Sequence, residues 1–526
     1  MFTPFIRKHI AFLATIPLML VAFGFAAWSS ASVFDRLPRT EDEVTFVFQA
    51  KTVAEGHIIA PGPEHGEFFF MSFVIVQDGQ WFGKYPPGYP LILSLGILLD
   101  RPWLVNAVAA AVAIGLLVVI GKRFYDLRTA LVAGALLTLS PFFVIQSGSL
   151  LSHVVALCWV LVMLLLVDVL RTRHLPLAAL GAGAAGGMLL LTRPLTAVGI
   201  ALPFLVLAAI DLSGRRPLLR RYALVALGAL PFTVALLLYN DATTGSPLRS
   251  AYELWWEYDR IGFGPEYGVN GHSFDDAIDN TRVNLRALSN VLFGWPRRLS
   301  LLPVGVALVL AGWRIRRGRF SRQSTADLLL VGMVVGLVGV HMLYWTSGRM
   351  YGPRYYFEII GALSLLGARG IVLAWEHAGS LMRRLNESLR PVRLVVPALV
   401  VALVGYNLLV TLPAEAERYR DWNGVHREDL EALQAAELEN AVVFVPRPNW
   451  QAYAPLFLEN STTLDGEVIY AVDRGDERIP TLMRDFPVRR YYRYRDGVLI
   501  PLDGLGRTRW STLRIAAGSA GRCRAP

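Results

Sequence analysis

Long apolar runs separated by short polar turns set the pattern of this chain. Runs over 10–31, 104–121, 128–146, 151–170, 176–192, 195–212, 222–240, 300–313, 326–346, 356–375 and 393–412 stand out. Most approach the length of a membrane-crossing helix, roughly 20 apolar residues, and those at 176–192 and 300–313 are short. The pattern predicts a polytopic α-helical membrane protein with about eleven transmembrane helices. The apolar stretch 86–99 is too short to cross and carries Pro86, Pro87 and Pro90, each without a backbone donor. It reads as a re-entrant or interfacial segment.

Lys and Arg gather in alternate turns. The clusters are Arg7 and Lys8; Lys122, Arg123 and Arg128; Arg171 and Arg173; Arg215, Arg216, Arg220 and Arg221; Arg314, Arg316, Arg317, Arg319 and Arg322; and Arg383, Arg384, Arg390 and Arg393. The short turns between them hold only Arg193, Arg349 and Arg354. The positive-inside bias places the clusters and the N-terminus in the cytoplasm. Counting 86–99 as a span would reverse every later loop. Three polar regions then face outside: 32–103, 241–299 and 413–526. The chain divides into a transmembrane domain, 1–412, and a soluble extracytoplasmic domain, 413–526. In that tail, 415–439 reads as helical and 441–445 and 466–472 as strands, a small mixed α/β domain.

Composition agrees with the pattern. The chain is 54% hydrophobic and 17% charged, with mean hydropathy +0.44. The net charge of +10 comes largely from the clustered arginines, so no nucleic-acid partner is expected. Two cysteines, Cys158 and Cys523, argue against a disulfide scaffold or a Cys-based zinc site. The first apolar run continues to Ala31 without a clear stop, which fits an uncleaved span better than a signal peptide.

Candidate chemistry concentrates in the outer regions. Glu41-Asp42-Glu43 stands at the start of a predicted helix, with Thr40 as N-cap, Glu43 at capping-box spacing and Gly56 as the stop. Val44, Val47, Phe48 and Lys51 share one face, so the helix is expected to lie along the membrane surface. Three acids there satisfy the helix dipole without any catalytic role. A partly desolvated carboxylate at that point is equally suited to act as a general base. Lys84, fixed before a Pro-Pro turn, reads as a phosphate contact or as a snorkelling interfacial lysine. Arg193 and Arg354, on the outer side, read as phosphate clamps or as headgroup contacts. His153, after Gln146, Ser147, Ser149 and Ser152, reads as lining a cavity near the outer end of its span, and His341 as a hydrogen-bonded packing residue. Tyr252, Trp255, Trp256, Tyr258 and Tyr267 suit a sugar platform or a membrane interface, the latter favoured for Trp255 and Trp256. Asn270-Gly271-His272-Ser273 reads as a donor or acceptor contact. His272, Asp275 and Asp276 match no zinc or calcium loop, so a divalent metal is not favoured and any metal ligands stay unknown.

Several of these motifs together resemble the GT-C glycosyltransferases, in the branch of protein O-mannosyltransferases and lipid A aminoarabinose transferases. The motifs are Asp42-Glu43, Ala54-Glu55-Gly56-His57, Lys84-Tyr85-Pro86-Pro87-Gly88-Tyr89-Pro90, Leu191-Thr192-Arg193-Pro194, Tyr239-Asn240, Thr244-Gly245-Ser246-Pro247-Leu248 and Tyr351-Gly352-Pro353-Arg354-Tyr355-Tyr356-Phe357. The resemblance covers roughly residues 1–410 and leaves the tail unaccounted for. It implies a GT-C-like bundle, a polyprenyl-phosphate-sugar donor and an inverting hexosyl or pentosyl transfer to a protein, lipid or cell-envelope glycan. It implies Asp42 as general base with Glu43 beside it and Glu41 as an alternative. Lys84, with the inserted Tyr85, and Arg193 and Arg354 are the implied donor-phosphate contacts. His153, His272 and Tyr355 are the expected cavity residues. No cofactor is implied, and no GxxxxGK loop is present. The expected location is the bacterial inner membrane, in contact with its lipids. A rival reading is a transporter or flippase of a lipid-linked substrate, with the acids as gating groups; the inverted repeats that would favour it are not visible. A second rival is a membrane scaffold that displays the tail.

Overall fold

The computed structural model describes residues 4–173, 175–214, 219–385, 394–425, 427–446, 450–495, 497–503 and 513–514. Arg215, Arg216, Arg390, Arg393 and Cys523, named above, lie outside them.

Each predicted span contains helix. Among the described residues, nine helices are long and apolar enough to cross a membrane, or ten if one bent pair counts as a span. The bent pair is Leu127–Thr138 and Pro141–Gly148, at 57°. The break has a local cause: the Ser140 hydroxyl accepts from the Phe143 N–H at 3.3 Å, and Pro141, without an N–H of its own, opens the second helix. The fifth predicted span, Pro176–Thr192, has only 17 residues and falls short of that length. The stretch 86–99 forms the ten-residue helix Gly88–Ile97, also short of a span.

The chain forms two compact units. The first comprises 1–29, 86–89 and 103–419. Here Pro176–Thr192 packs on Leu219–Thr244, Pro194–Gly214 on Arg322–His341, and Leu302–Arg316 on Ile360–Leu385. Small residues make the closest approach. A Cβ on Gly183 would stand 1.9 Å from the Val225 carbonyl oxygen, and one on Gly228 would stand 2.1 Å from that of Leu180. This is the close backbone contact that helices use in lipid, where apolar side chains alone give little drive to associate. Large apolar side chains instead point outward, among them Leu205, Leu238, Val309 and Val401.

One end of this unit is tied by charge. Asp168 pairs with Arg123 at 2.5 Å and with Arg322 at 2.8 Å, joining the ends of three helices. Arg171 meets Asp211 at 2.8 Å, and the Tyr222 hydroxyl donates to the same carboxylate at 2.7 Å.

The second unit comprises 30–85, 90–102 and 420–526, so the segment after the first helix and the tail fold together. Thr40 caps the helix Glu41–Ala54 as expected, accepting from the Glu43 N–H at 3.3 Å. The helix differs from expectation in its surroundings. Ten of its fourteen residues are buried, so it is a core helix packed within protein, not an amphipathic helix resting one face on lipid. The reason is visible in the sequence once its neighbours are known: the apolar residues are not confined to one stripe. The hairpin Val74–Gln77 and Gln80–Gly83 packs beside it. The hairpin turns through Asp78 and Gly79 at φ of +51° and +72°, the pair of left-handed residues that a tight hairpin favours. Gly83 has to be glycine for this packing, since a Cβ there would lie 2.5 Å from the Thr45 methyl and 2.6 Å from the Gln49 amide carbon.

The tail is mixed α/β. Its sheet runs Val468–Val472, Ala441–Val445, Arg490–Arg495, Val498–Pro501, Leu513–Arg514 in spatial order. The first three strands are parallel and the last two antiparallel. Helices Trp450–Phe457 and Ile479–Asp485 lie in the crossovers that parallel neighbours require. Ala441–Val445, the strand with parallel neighbours on both sides, is buried throughout, and its apolar run AVVFV fits that position.

Candidate active site

In the second unit, the helix start brings the acidic triplet against the Lys84-Tyr85 turn. Glu43 is fully buried and its carboxylate accepts from the Arg39 N–H at 2.8 Å and from the Thr40 hydroxyl at 3.1 Å. It serves as a helix-capping acid. Asp42, 7% exposed, points elsewhere: the Tyr85 hydroxyl donates to its Oδ1 at 2.6 Å. Glu41 is partly exposed, and its backbone carbonyl accepts from the Thr45 hydroxyl at 2.8 Å. The triplet is thus divided by role, with one member capping, one held by a phenol and one at the rim.

Tyr85 is fixed from three sides. Its ring packs 4.5 Å from Phe46 and 6.2 Å from Phe73, centroid to centroid, and its carbonyl accepts from the Gln49 amide at 2.8 Å. Lys84 is 4% exposed, and its ammonium lies 3.6 Å from the centre of the Phe73 ring and 5.5 Å from that of Tyr85. A desolvated ammonium over an aromatic face is an attractive contact worth about 2 kcal/mol. The inserted tyrosine therefore supports both the acid and the cation of the motif.

In the first unit, residues that follow directly in the chain continue the motif. Gly88 of the Pro-Pro-Gly turn sits where a Cβ would stand 2.6 Å from the Leu191 carbonyl, just before Arg193. Tyr89 donates to Asn106 at 3.4 Å, and Asn106 donates to the carbonyls of Ser149 and Leu151 at 2.7 and 2.9 Å. His153 and Arg193 then meet on a residue that sequence reading passed over, Glu358. His153 Nδ1 lies 3.0 Å and Arg193 Nε 3.2 Å from Glu358 Oε1. Arg193 also donates to the Ser152 hydroxyl at 3.2 Å. Glu358 is fully buried and His153 is 1% exposed. A visible signal pointed to Glu358: an acid inside the apolar run that follows Arg354. This node lies at the start of the helix His153–Arg173, and the Asp168 network lies near its other end. Fifteen residues of helix between His153 and Asp168 separate them by roughly 22 Å.

Arg354 lies over Tyr355, 5.3 Å from the ring centre, and donates to the Met350 sulfur at 3.2 Å. Tyr355 stacks on His341 at 5.1 Å. His341 Nδ1 lies 2.9 Å from the Leu337 carbonyl, a packing role inside its helix. His272 is also buried, 2.9 Å from the Met342 carbonyl and stacked on Phe263 at 5.2 Å. Asp276 completes a capping box with Ser273. No group of three metal-ligating side chains occurs among the described residues. Trp256 stacks on Tyr258 at 5.7 Å, and both rings meet Trp345 edge-on. Beneath them is a second residue that sequence reading missed: Asp259, which accepts from the Tyr344 hydroxyl at 2.6 Å and the Trp345 indole at 3.1 Å.

Comparison with known proteins bears on these sites. Residues 84–239 match the family model described as dolichyl-phosphate-mannose-protein mannosyltransferase, and residues 441–505 match a domain of unknown function (DUF7846). No curated protein sequence matches the chain. The fold is similar to ArnT from Cupriavidus metallidurans in the apo state, at 13% identity and TM-score 0.53, covering 94% of this chain and 96% of that one. ArnT bound to undecaprenyl phosphate gives 14% identity and TM-score 0.51, covering 94% and 97%. The archaeal oligosaccharyltransferase AglB from Archaeoglobus fulgidus, in complex with an inhibitory peptide and a dolichol-phosphate, gives 13% identity and TM-score 0.53, covering 93% and 69%. The chain is thus an integral membrane protein of the GT-C glycosyltransferase fold, and residues 84–239 carry its match to the mannosyltransferase family.

Proposed function

We propose that this protein transfers a sugar from a polyprenyl-phosphate donor to an acceptor on the outer face of the membrane, with inversion and with Asp42 as general base. One observation carries the assignment: the buried Asp42 carboxylate is held at 2.6 Å by the tyrosine of the Lys84-Tyr85-Pro86-Pro87 turn. An acid motif and a cation motif, 43 residues apart at the Asp42–Tyr85 contact, are brought together. The mannosyltransferase match over 84–239 supports the reaction class. The undecaprenyl phosphate bound to ArnT and the dolichol-phosphate bound to AglB support a polyprenyl-phosphate donor.

In the proposed reaction an acceptor O–H attacks the anomeric carbon from the face opposite the phosphate. The new C–O bond forms as the anomeric C–O(P) bond breaks. Asp42 takes the acceptor's proton, and the departing electron pair stays on the phosphate oxygen of the lipid. Lys84, Arg193 and Arg354 are assigned to the donor phosphate, where cations stabilise the charge that grows as the bond breaks. Tyr85 orients Asp42, and Glu43 caps its helix. Glu41 stays the alternative base, and His153, His272 and Tyr355 remain assigned to the surroundings of the substrate. The sugar is a hexose or pentose and the acceptor a protein, lipid or envelope glycan. The location proposed is a bacterial inner membrane, with the N-terminus in the cytoplasm and the tail outside. The gathering of Arg123, Arg322 and Asp168 at one end of the helices supports that orientation.

The test is Asp42→Asn, assayed for sugar transfer in membranes, with mass spectrometry of glycans and glycolipids from cells that lack the protein to identify the product. General-base removal is expected to lower transfer by about 10²–10⁴-fold. Full transfer by a normally folded variant would remove Asp42 from the mechanism.

A further inference from the structure

We propose that the tail is a positioning clamp on the catalytic loop: it grips the helix Glu41–Ala54 at both ends and so holds Asp42 in place. The kinetic part rests on Asp42 being the base; the clamp itself does not.

At the front end the grip is on Arg39, which is 1% exposed. Its guanidinium donates to the tail carbonyl of Val425 at 2.5 Å and also pairs with Asp35. The tail's Asn423 donates back to the Arg39 carbonyl at 2.8 Å. The Arg39 N–H is taken by Glu43. The Arg39 residue is therefore tied to the tail through its side chain and carbonyl and to the helix through its amide. Asp42 follows three residues later. Asn423 holds its place with φ of +61°, a conformation Asn tolerates better than most residues.

At the far end Lys51 and Glu55, one helical turn apart, both face the segment 458–462. The Lys51 ammonium donates to the carbonyls of Leu458 and of Asn460, the latter at 3.0 Å. The Glu55 carboxylate accepts from the Thr462 N–H at 3.2 Å and from its hydroxyl. That segment is itself pinned to the sheet, because Asn460 exchanges two hydrogen bonds with the Tyr470 backbone at 2.8 and 2.9 Å. The path from helix to sheet is continuous. Burial pulls the Lys51 ammonium below its ordinary range, against the pull of Glu459 and Glu55, so this contact sets a desolvated charge on backbone carbonyls. A third tie secures the rest of the loop: Arg474 donates twice to the Glu67 carbonyl, at 2.8 and 2.5 Å, and Phe68 packs 6.4 Å from Phe444 of the central strand.

Nothing in these contacts requires the tail to supply a reacting group. It supplies position, and a misplacement of about 1 Å at a reacting centre costs on the order of 10²-fold in rate.

The test uses the full chain in detergent micelles and in membranes, with Lys51→Met and Glu55→Ala as disrupting variants. Lys51→Arg and Glu55→Gln keep the donors and the acceptor respectively. Hydrogen exchange reads the helix directly, and transfer is measured with a radiolabelled polyprenyl-phosphate-sugar fraction extracted from the source cells. Protection of the amides of Val44–Ala50 is expected to fall about tenfold or more in the disrupting variants and to return in the conservative ones, while Ala441–Val445 stays protected. In parallel kcat is expected to fall about 10–100-fold with the KM for the lipid fraction unchanged. Unchanged protection of Val44–Ala50 in both disrupting variants would overturn the clamp. So would an equal loss across Ala441–Val445, because loop and tail would then melt as one core. A loosened helix with undiminished kcat would leave the clamp standing and remove Asp42 as the base.

Discussion

Three adjacent carboxylates with the same chemistry do different things because the helix start points them in different directions. Glu43 closes backbone donors, while Asp42 accepts from a phenol. The sequence made the triplet conspicuous and its capping spacing readable. It assigned Glu43 the capping position and, through the resemblance, made Asp42 the expected base, but not the contact that holds Asp42, since that depends on Tyr85 arriving from 43 residues away. Tyr85→Phe tests the orienting role. A hydrogen bond to a charged group contributes about 1.5–3 kcal/mol, so kcat should fall about tenfold or more, with the fold unchanged by circular dichroism. Glu358 offers a second test at this scale. Glu358→Leu leaves the partly buried Arg193 without its carboxylate and should cost up to about 3 kcal/mol of stability. Glu358→Gln, which keeps acceptor oxygen near Arg193 and His153, should cost less. Thermal unfolding in detergent would rank the two, and equal losses would mean that the charge is immaterial.

Helices in this protein differ in what limits them. Pro176–Thr192 is short and rich in Gly and Ala, and its backbone lies against that of Leu219–Thr244. Gly183→Ala places a methyl where the Val225 oxygen stands, and is expected to destabilise by about 1–3 kcal/mol, read as a lower unfolding temperature. Gly305→Ala is the control. Nothing lies within 4 Å of the added Cβ, and the change should be neutral or stabilise by up to about 1 kcal/mol through helix propensity. Apolar length alone treats both glycines alike. The helix Glu41–Ala54 shows the same limit from the other side. Its ends were readable from Thr40 and Gly56, but its burial was not, because the protein that covers it comes from distant parts of the chain.

For the whole molecule, hydropathy and the alternation of charge predict one topology, which labelling tests. In a background without cysteines, Gln77→Cys in the first outer region is expected to react with a membrane-impermeant maleimide on intact cells. Arg319→Cys, exposed in a basic turn, is expected to react only after permeabilisation. The opposite labelling pattern would invert the orientation and move Asp42 to the cytoplasmic side.

By itself the sequence determined the membrane class, the helical spans, the α/β character of the tail and the motifs that mark a glycosyltransferase. These are local or periodic properties: apolar length, charge at span ends, strand alternation and short motifs. Only the tertiary structure decided that the first outer loop and the tail form one unit, that Glu358 joins His153 to Arg193, and that Tyr85 selects Asp42 from the triplet. Those facts depend on contacts between residues tens to hundreds of positions apart. Hydrogen-bond partners at such separations leave no period and no spacing in a single sequence, and they come together only when burial demands that each polar group be satisfied.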